Sequence, residues 1–222
     1  MSSTQRNGAM GVFGGTFDPV HYGHLRTALE LLEYADLAQM CFIPAAVPPH
    51  RATPQADARM RLALVQAAIQ GEPRFCVDDR ELRRDGPSWT VDTLRELRAE
   101  HAARPICLVV GMDAFLGLTS WHRWEEILDL AHLLVAHRPG WQAPQDGVLG
   151  QLLRERSVET GAALHASPAG RIGICAVTQL EISSSAIREL VRSGREPRYL
   201  VPDPVCRLLA ESGCYTAAAE GH

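Results

Sequence analysis

Two histidines three residues apart, His21 and His24, close the run Gly14-Gly15-Thr16-Phe17-Asp18-Pro19-Val20-His21-Tyr22-Gly23-His24-Leu25. On a helical turn, residues at i and i+3 share a face, so both imidazoles can address a single phosphate group. Gly14 and Gly15 let the backbone turn sharply and approach a ligand closely. A helix opening at Gly23 and His24 presents N–H groups that attract an anion. A His-x-x-His pair alone is more often a helix cap or an incidental metal site; the setting in the whole run is what points to phosphate chemistry. The spacing is neither G-x-G-x-x-G nor a P-loop, which removes the main support for a dinucleotide dehydrogenase or a P-loop enzyme.

A second group lies near the other end, in Ile182-Ser183-Ser184-Ser185-Ala186-Ile187-Arg188. A serine at a helix start is an ordinary N-cap, and that accounts for one of the three. Three in a row with an arginine one turn in make a nest of donors around a fixed positive fork, suited to a polyphosphate. The chain contains no lysine, so all 22 of its Lys-plus-Arg cations are arginine. A P-loop lysine, a Schiff-base lysine and a lysyl-adenylate are thereby excluded.

The elements that must position these groups follow from periodicity. Ala9 to Gly14 reads as a buried strand, and Leu25, Ala28, Leu29, Leu32 and Ala35 form the apolar stripe of a helix after it. Further strands are expected at 39–43, 75–77, 106–111, 132–137 and 172–177. Further helices are expected at 56–70, with Met60, Leu64, Val65 and Ala68 on one side, and at 90–101, 184–193 and 203–212. Thr90 is the expected cap of the third helix; Asp203 is that of the last, with Pro204 at its first position. Trp141 to Gly150 reads as a surface excursion. Arg80, Arg83 and Arg84, interspersed with acids, read as a solvated face. The alternation predicts an α/β fold: a Rossmann-like open, mainly parallel sheet with helices on both faces. In such a sheet, ligands bind outside the carboxyl ends of the strands. The 222 residues suit a single domain, 1–222, with 1–7 and 216–222 expected as flexible tails.

With 46% hydrophobic residues the chain has ample core material, and its formal net charge of −4 argues against a sequence-independent nucleic-acid binder. No apolar run reaches the length of a membrane span, and Met1 to Asn7 lacks the apolar centre of a signal peptide. The 6 cysteines include no C-x-x-C pair, and Cys41, Cys107 and Cys175 sit in apolar runs. A reduced, cytoplasmic setting is expected.

The first run resembles the H-x-G-H signature of the nucleotidyltransferase superfamily, and the second resembles its I-S-S-T-x-I-R motif, with Ser185 where threonine is common. Further segments resemble one branch, the nicotinate-nucleotide adenylyltransferases: Pro48-Pro49-His50-Arg51, Ser88-Trp89-Thr90-Val91-Asp92-Thr93-Leu94, Gly111-Met112-Asp113, Trp121-His122-Arg123-Trp124 and Tyr199-Leu200-Val201-Pro202. The likeness runs from Gly11 to Tyr215 and is weakest over 141–171.

This resemblance implies adenylyl transfer from ATP to nicotinate mononucleotide, giving deamido-NAD and pyrophosphate. His21, His24 and Arg188 would stabilise charge on the transferred group. Gly14, Gly15, Thr16, Phe17, Gly111, Asp113, Ile182, Ser183, Ser184 and Ser185 would bind ATP, with Asp113 at the ribose. His50, Arg51, Trp89, Thr90, Trp121 and Arg138 would bind the acceptor. Trp121 offers a face to the pyridine ring, and the backbone N–H groups around Trp89, Thr90 and Trp121 suit its carboxylate. Mg²⁺ would bridge the ATP phosphates, with no protein metal site. ATP and nicotinate mononucleotide are thus the expected partners, with a homo-oligomer open and neither nucleic acid nor membrane involved. Three alternatives stay open: another acceptor such as nicotinamide mononucleotide or phosphopantetheine, a nucleotide-binding module without catalysis, and a zinc hydrolase built on His21, His24 and Asp18.

Overall fold

The computed structural model describes residues 8–47, 53–137 and 143–216. Among the described residues, seven strands form one sheet: β1 (Met10–Gly15), β2 (Gln39–Pro44), β3 (Phe75–Val77), β4 (Ile106–Gly111), β5 (His132–His137), β6 (Ser157–Val158) and β7 (Ile172–Ala176). Their order across the sheet is β3-β2-β1-β4-β5-β7-β6, and every pairing is parallel. Helices α1 (Tyr22–Tyr34), α2 (Ala58–Ala68), α7 (Ser184–Arg192) and α8 (Asp203–Ser212) supply the core on one face. Helices α3 (Thr90–Glu100), α4 (Met112–Leu116), α5 (Ile127–Leu130) and α6 (Gly147–Arg156) supply it on the other. Alternation along β4 shows why the strand is apolar throughout. Cys107 and Val109 enter the first core; Ile106, Leu108 and Val110 enter the second.

The chain runs from β1 outward to β3 and then returns across β1 to β4, so the strand order reverses between β1 and β4. Their pairing stops at Val12 and Leu108. Beyond that point β1 stays with β2 as far as Gly15 and Pro44, while β4 stays with β5 as far as Gly111 and Ala136. The two central strands therefore part at their carboxyl ends, and a crevice opens where ligands bind in sheets of this kind.

Several local expectations need correction. Trp89, not Thr90, is the N-cap of α3; Thr90 is its first helical residue. Helix α8 begins at Asp203 with Pro202 as cap, so Pro204 occupies the second position. Arg80 is only 10% exposed at its side chain, pairing with Asp78 at 2.7 Å and Glu100 at 3.0 Å, so it is no part of a solvated face. In the excursion expected over 141–150, whose first two residues lie outside the described ones, α6 already starts at Gly147. The chain that follows α6 packs on α1: a Cβ on Gly161 would meet the Tyr34 carbonyl oxygen at 2.2 Å, and His165 Nε2 lies 2.8 Å from the Ala35 carbonyl.

Candidate active site

At the end of β1 the backbone enters a loop whose shape is fixed by packing. Phe17 takes the left-handed conformation (φ 49°), unusual for a bulky residue, and its ring is buried against Phe13, Phe42 and His24. A Cβ on Gly15 would come within 2.8 Å of that ring, whereas one on Gly14 would meet nothing within 4 Å. Gly15 thus makes room for the loop, and Phe17 supports it from below with its side chain turned into the core.

His21 follows as the N-cap residue of α1. Its backbone N–H donates to His24 Nδ1 at 3.3 Å, and the two rings lie 3.8 Å apart between centroids, inclined by 36°. Gly23 leaves room for the pair, because a Cβ there would sit 3.0 Å from the His21 ring and press on it. Burial pushes the pKa of His21 down to about 4, so this imidazole is neutral at pH 7. Its buried Nδ1 has no hydrogen-bond partner among the described residues. The His21 ring therefore starts as a neutral donor.

Both histidines line a cleft of about 360 Å³ at the parting of β1 and β4. Gly111, Asp113 and Ile182 line it too, so three distant segments of the sequence meet there. Gly111 is the N-cap residue of α4, and Asp113 stands in its first turn. Thr178, Gln179 and Leu180, to which the sequence assigned no role, line the cleft as well.

The serine–arginine run docks directly on the β1–α1 loop. Ser183 caps α7 by accepting from the Ala186 N–H at 3.1 Å, Ser184 Oγ donates to the Pro19 carbonyl at 2.9 Å, and Ser185 Oγ accepts from Arg188 Nη2 at 3.2 Å. Arg188 Nη1 donates to the Asp18 carbonyl at 2.7 Å and lies 3.6 Å from its carboxylate. All three hydroxyls thus have partners within the chain. Asp18 is the hub of this arrangement. Its carboxylate accepts from the N–H groups of Gln55 (2.9 Å) and Ala56 (3.0 Å) and from the Tyr215 hydroxyl (2.7 Å).

The aromatic residues assigned to the acceptor stand outside this cleft. The Trp89 ring lies 4.7 Å from that of His122, and Trp121 packs half-buried on the core beneath α3 and α4. The Trp89 N–H donates to the Pro87 carbonyl at 3.0 Å, and the Trp121 N–H to the Leu118 carbonyl at 2.9 Å. Those two amides are already engaged within the chain, so they do not stand free for a carboxylate. Ser88 Oγ accepts from Ala46 N (2.9 Å) and Val47 N (3.3 Å), pinning the loop after β2 beside the start of α3. His50, Arg51 and Arg138 lie outside the described residues.

Sequence reasoning missed Asp18 as a hub, Tyr215 and Arg61. Only Arg61 left a signal: it sits at i−3 from Leu64 on the apolar stripe of α2, where a charge is out of place.

Comparison with known proteins agrees with this geometry. Residues 12–190 match the cytidylyltransferase-like family. A protein of Aeromonas hydrophila named probable nicotinate-nucleotide adenylyltransferase is 46% identical over 94% of this chain and 98% of its own length. One of the same name from Hahella chejuensis is 46% identical over 96% and 98%. Among solved structures, the Plasmodium falciparum nicotinic acid mononucleotide adenylyltransferase complexed with NaAD shares the fold, with a TM-score of 0.71 at 14% identity over 94% of this chain and 97% of that one. With its cleft, its paired histidines and relatives matched along almost their whole length, the chain belongs to the nicotinate-nucleotide adenylyltransferases of the cytidylyltransferase-like family.

Proposed function

We propose that the protein transfers AMP from ATP to nicotinate mononucleotide, releasing pyrophosphate and forming deamido-NAD. The observation that carries this reading is the stacked pair His21 and His24 in the crevice between β1 and β4, with Arg188 fastened to the same loop through Asp18. Relatives nearly half identical bear the name of that activity, which supports the choice of acceptor.

The attacking atom is a phosphate oxygen of the acceptor, which needs little help from a base. It bonds to the α-phosphorus of ATP as the bond to the bridging oxygen breaks, and pyrophosphate leaves with that electron pair. The obstacle is charge: at ~4 Å two unit charges repel by about 4 kcal/mol at an effective dielectric near 20. His24 and Arg188 bring donors to the phosphates, and the neutral His21 contributes an N–H. An approaching polyanion favours the protonated form of that ring, so His21 gains its charge where negative charge gathers. Gly14, Gly15 and Thr16 cradle the nucleotide by backbone contact, Asp113 takes the ribose, and the start of α7 takes the outer phosphates. Trp121, Trp89 and Thr90 form the acceptor side, to which His50, Arg51 and Arg138 are also assigned.

Members of this family generally use a divalent metal, and we assign it as Mg²⁺. The Asp18 carboxylate is taken up by protein donors, and among the described residues no three His, Cys, Asp or Glu side chains gather into a metal cage. The ion that fits such a donor set is one held by phosphate oxygens, where it would neutralise charge on the leaving group. Among the described residues no helix is long and apolar enough to cross a membrane.

Pyrophosphate release should be measured with ATP and Mg²⁺ against nicotinate mononucleotide, nicotinamide mononucleotide and phosphopantetheine. Turnover with the first is expected. Turnover with only another acceptor would overturn the acceptor assignment, and none with any would overturn the catalytic reading.

A further inference from the structure

Arg61 is 1% exposed, on the inward face of α2. Its guanidinium reaches three separate backbone carbonyls: Nη1 donates to Thr16 at 2.8 Å, Nη2 to Ala46 at 3.3 Å, and Nε to Ala56 at 3.3 Å. Thr16 belongs to the loop after β1 and Ala46 to the loop after β2, while Ala56 leads into α2. Among the described residues Arg61 makes no ion pair within 4.0 Å. An arginine keeps its charge at neutral pH even when burial lowers its pKa, as it does here. Asp18 and Asp57 favour the charge only through space, and burial outweighs them; holding it there is costly, and a methionine or leucine would fill the same space more cheaply. What an apolar side chain would not supply is a rigid planar fork with donors aimed at two loops at once.

The two loops serve opposite sides of the reaction. Thr16 lies on the nucleotide side, next to Gly15. The peptide joining Ala46 to Val47 continues toward the acceptor side, because its N–H, that of Val47, donates to Ser88 Oγ at 3.3 Å, beside the Ala46 N–H at 2.9 Å, and Ser88 immediately precedes Trp89 and Thr90. A continuous polar chain therefore runs from Thr16 through Arg61, Ala46 and Ser88 to the first turn of α3. A parallel link runs from Ala45 N–H to the Gly15 carbonyl at 2.9 Å. Ordering the first loop restrains the second, and by thermodynamic linkage the reverse holds equally.

We propose that Arg61 is a positioning residue that couples the nucleotide and acceptor sites, so that each substrate binds more tightly when the other is present. This rests on the adenylyl-transfer reading above. Arg61 touches neither reacting group; it acts through the two loops it holds.

The test is the dissociation constant of nicotinate mononucleotide with and without a saturating non-hydrolysable ATP analogue, in the native protein and in Arg61→Lys. The native protein should show tightening of about fivefold or more. Arg61→Lys keeps the charge but lacks the fork, and its ratio should fall close to one. A merely structural role would weaken both affinities and leave the ratio unchanged, which would overturn the proposal, as would a native ratio of one. Should Arg61→Lys fail to fold, hydrogen exchange of the native protein decides. The analogue alone should slow exchange in residues 45–47, and protection confined to residues 14–24 would overturn the coupling. If the native protein binds no nicotinate mononucleotide with or without the analogue, the acceptor reading itself falls, an outcome distinct from a bound acceptor that shows no coupling.

Discussion

The hydroxyl of Tyr215 donates to Oδ1 of Asp18 at 2.7 Å, joining two buried residues 197 positions apart. Burial, then the hydrogen bond and charge of Asp18, push the pKa of Tyr215 upward, so the phenol stays protonated and remains a donor. Tyr215→Phe removes that donor and leaves the ring in place. A hydrogen bond to a charged group is worth about 2 kcal/mol, and denaturant melts should show a loss of that order. With Oδ1 short of a donor, Arg188 is drawn further onto the carboxylate, so KM for ATP should rise several-fold while KM for the acceptor holds. Equal rises in both constants would contradict the arrangement.

His24 is expected to act on the charge that develops during transfer. Removing a donor of this kind typically slows turnover by about a hundredfold or more. Steady-state kinetics of His24→Ala should show kcat falling by that order with KM for the acceptor little changed. Near-normal turnover in the purified variant would rule out the role.

His21 gives a pH signature. Its pKa is about 4 in the folded chain and about 6.5 when unfolded, so between those values the unfolded state binds more protons. The stability that this neutral ring confers is complete above pH 6.5 and is lost as the pH falls toward 4. Native protein should therefore lose more stability between pH 7 and 4.5 than His21→Asn. By NMR the ring should titrate well below 6 in the protein alone and shift upward when ATP is added; a titration near 6.5 in both cases would refute the account.

Two glycines separate catalytic from structural crowding. In Gly23→Ala the new methyl meets the edge of one ring at 3.0 Å, which can yield by a few tenths of an ångström. The misplaced imidazole should lower kcat by roughly tenfold with little change in melting temperature. In Gly161→Ala the methyl meets backbone at 2.2 Å, which cannot yield locally. That variant should melt far lower, losing about 2–3 kcal/mol, while any folded fraction keeps its kcat. Circular dichroism melts and steady-state kinetics on the pair would distinguish the two.

Much of this protein is written locally. Strand and helix periods depend on neighbouring side chains, so β1, β2, β3, β4, β5 and β7 were legible, as were α1, α2, α3, α7 and α8 to within a residue or two at their ends. The two motif runs were legible for the same reason, since glycine, histidine, serine and arginine at fixed spacing set local geometry and chemistry together. Short elements such as α4, α5 and β6 were not, because they hold too few turns or residues to show a period. Tertiary structure alone decided that Ser184 and Arg188 seat on Pro19 and Asp18, that Tyr215 completes the Asp18 hub, and that the Arg61 fork reaches Thr16 and Ala46. It also decided that His21 is neutral, since a pKa responds to burial and partners contributed by distant segments. Sequence supplied the reactive groups; the crevice where β1 and β4 part, and the segments packed around it, determined which of them meet and in what charge state.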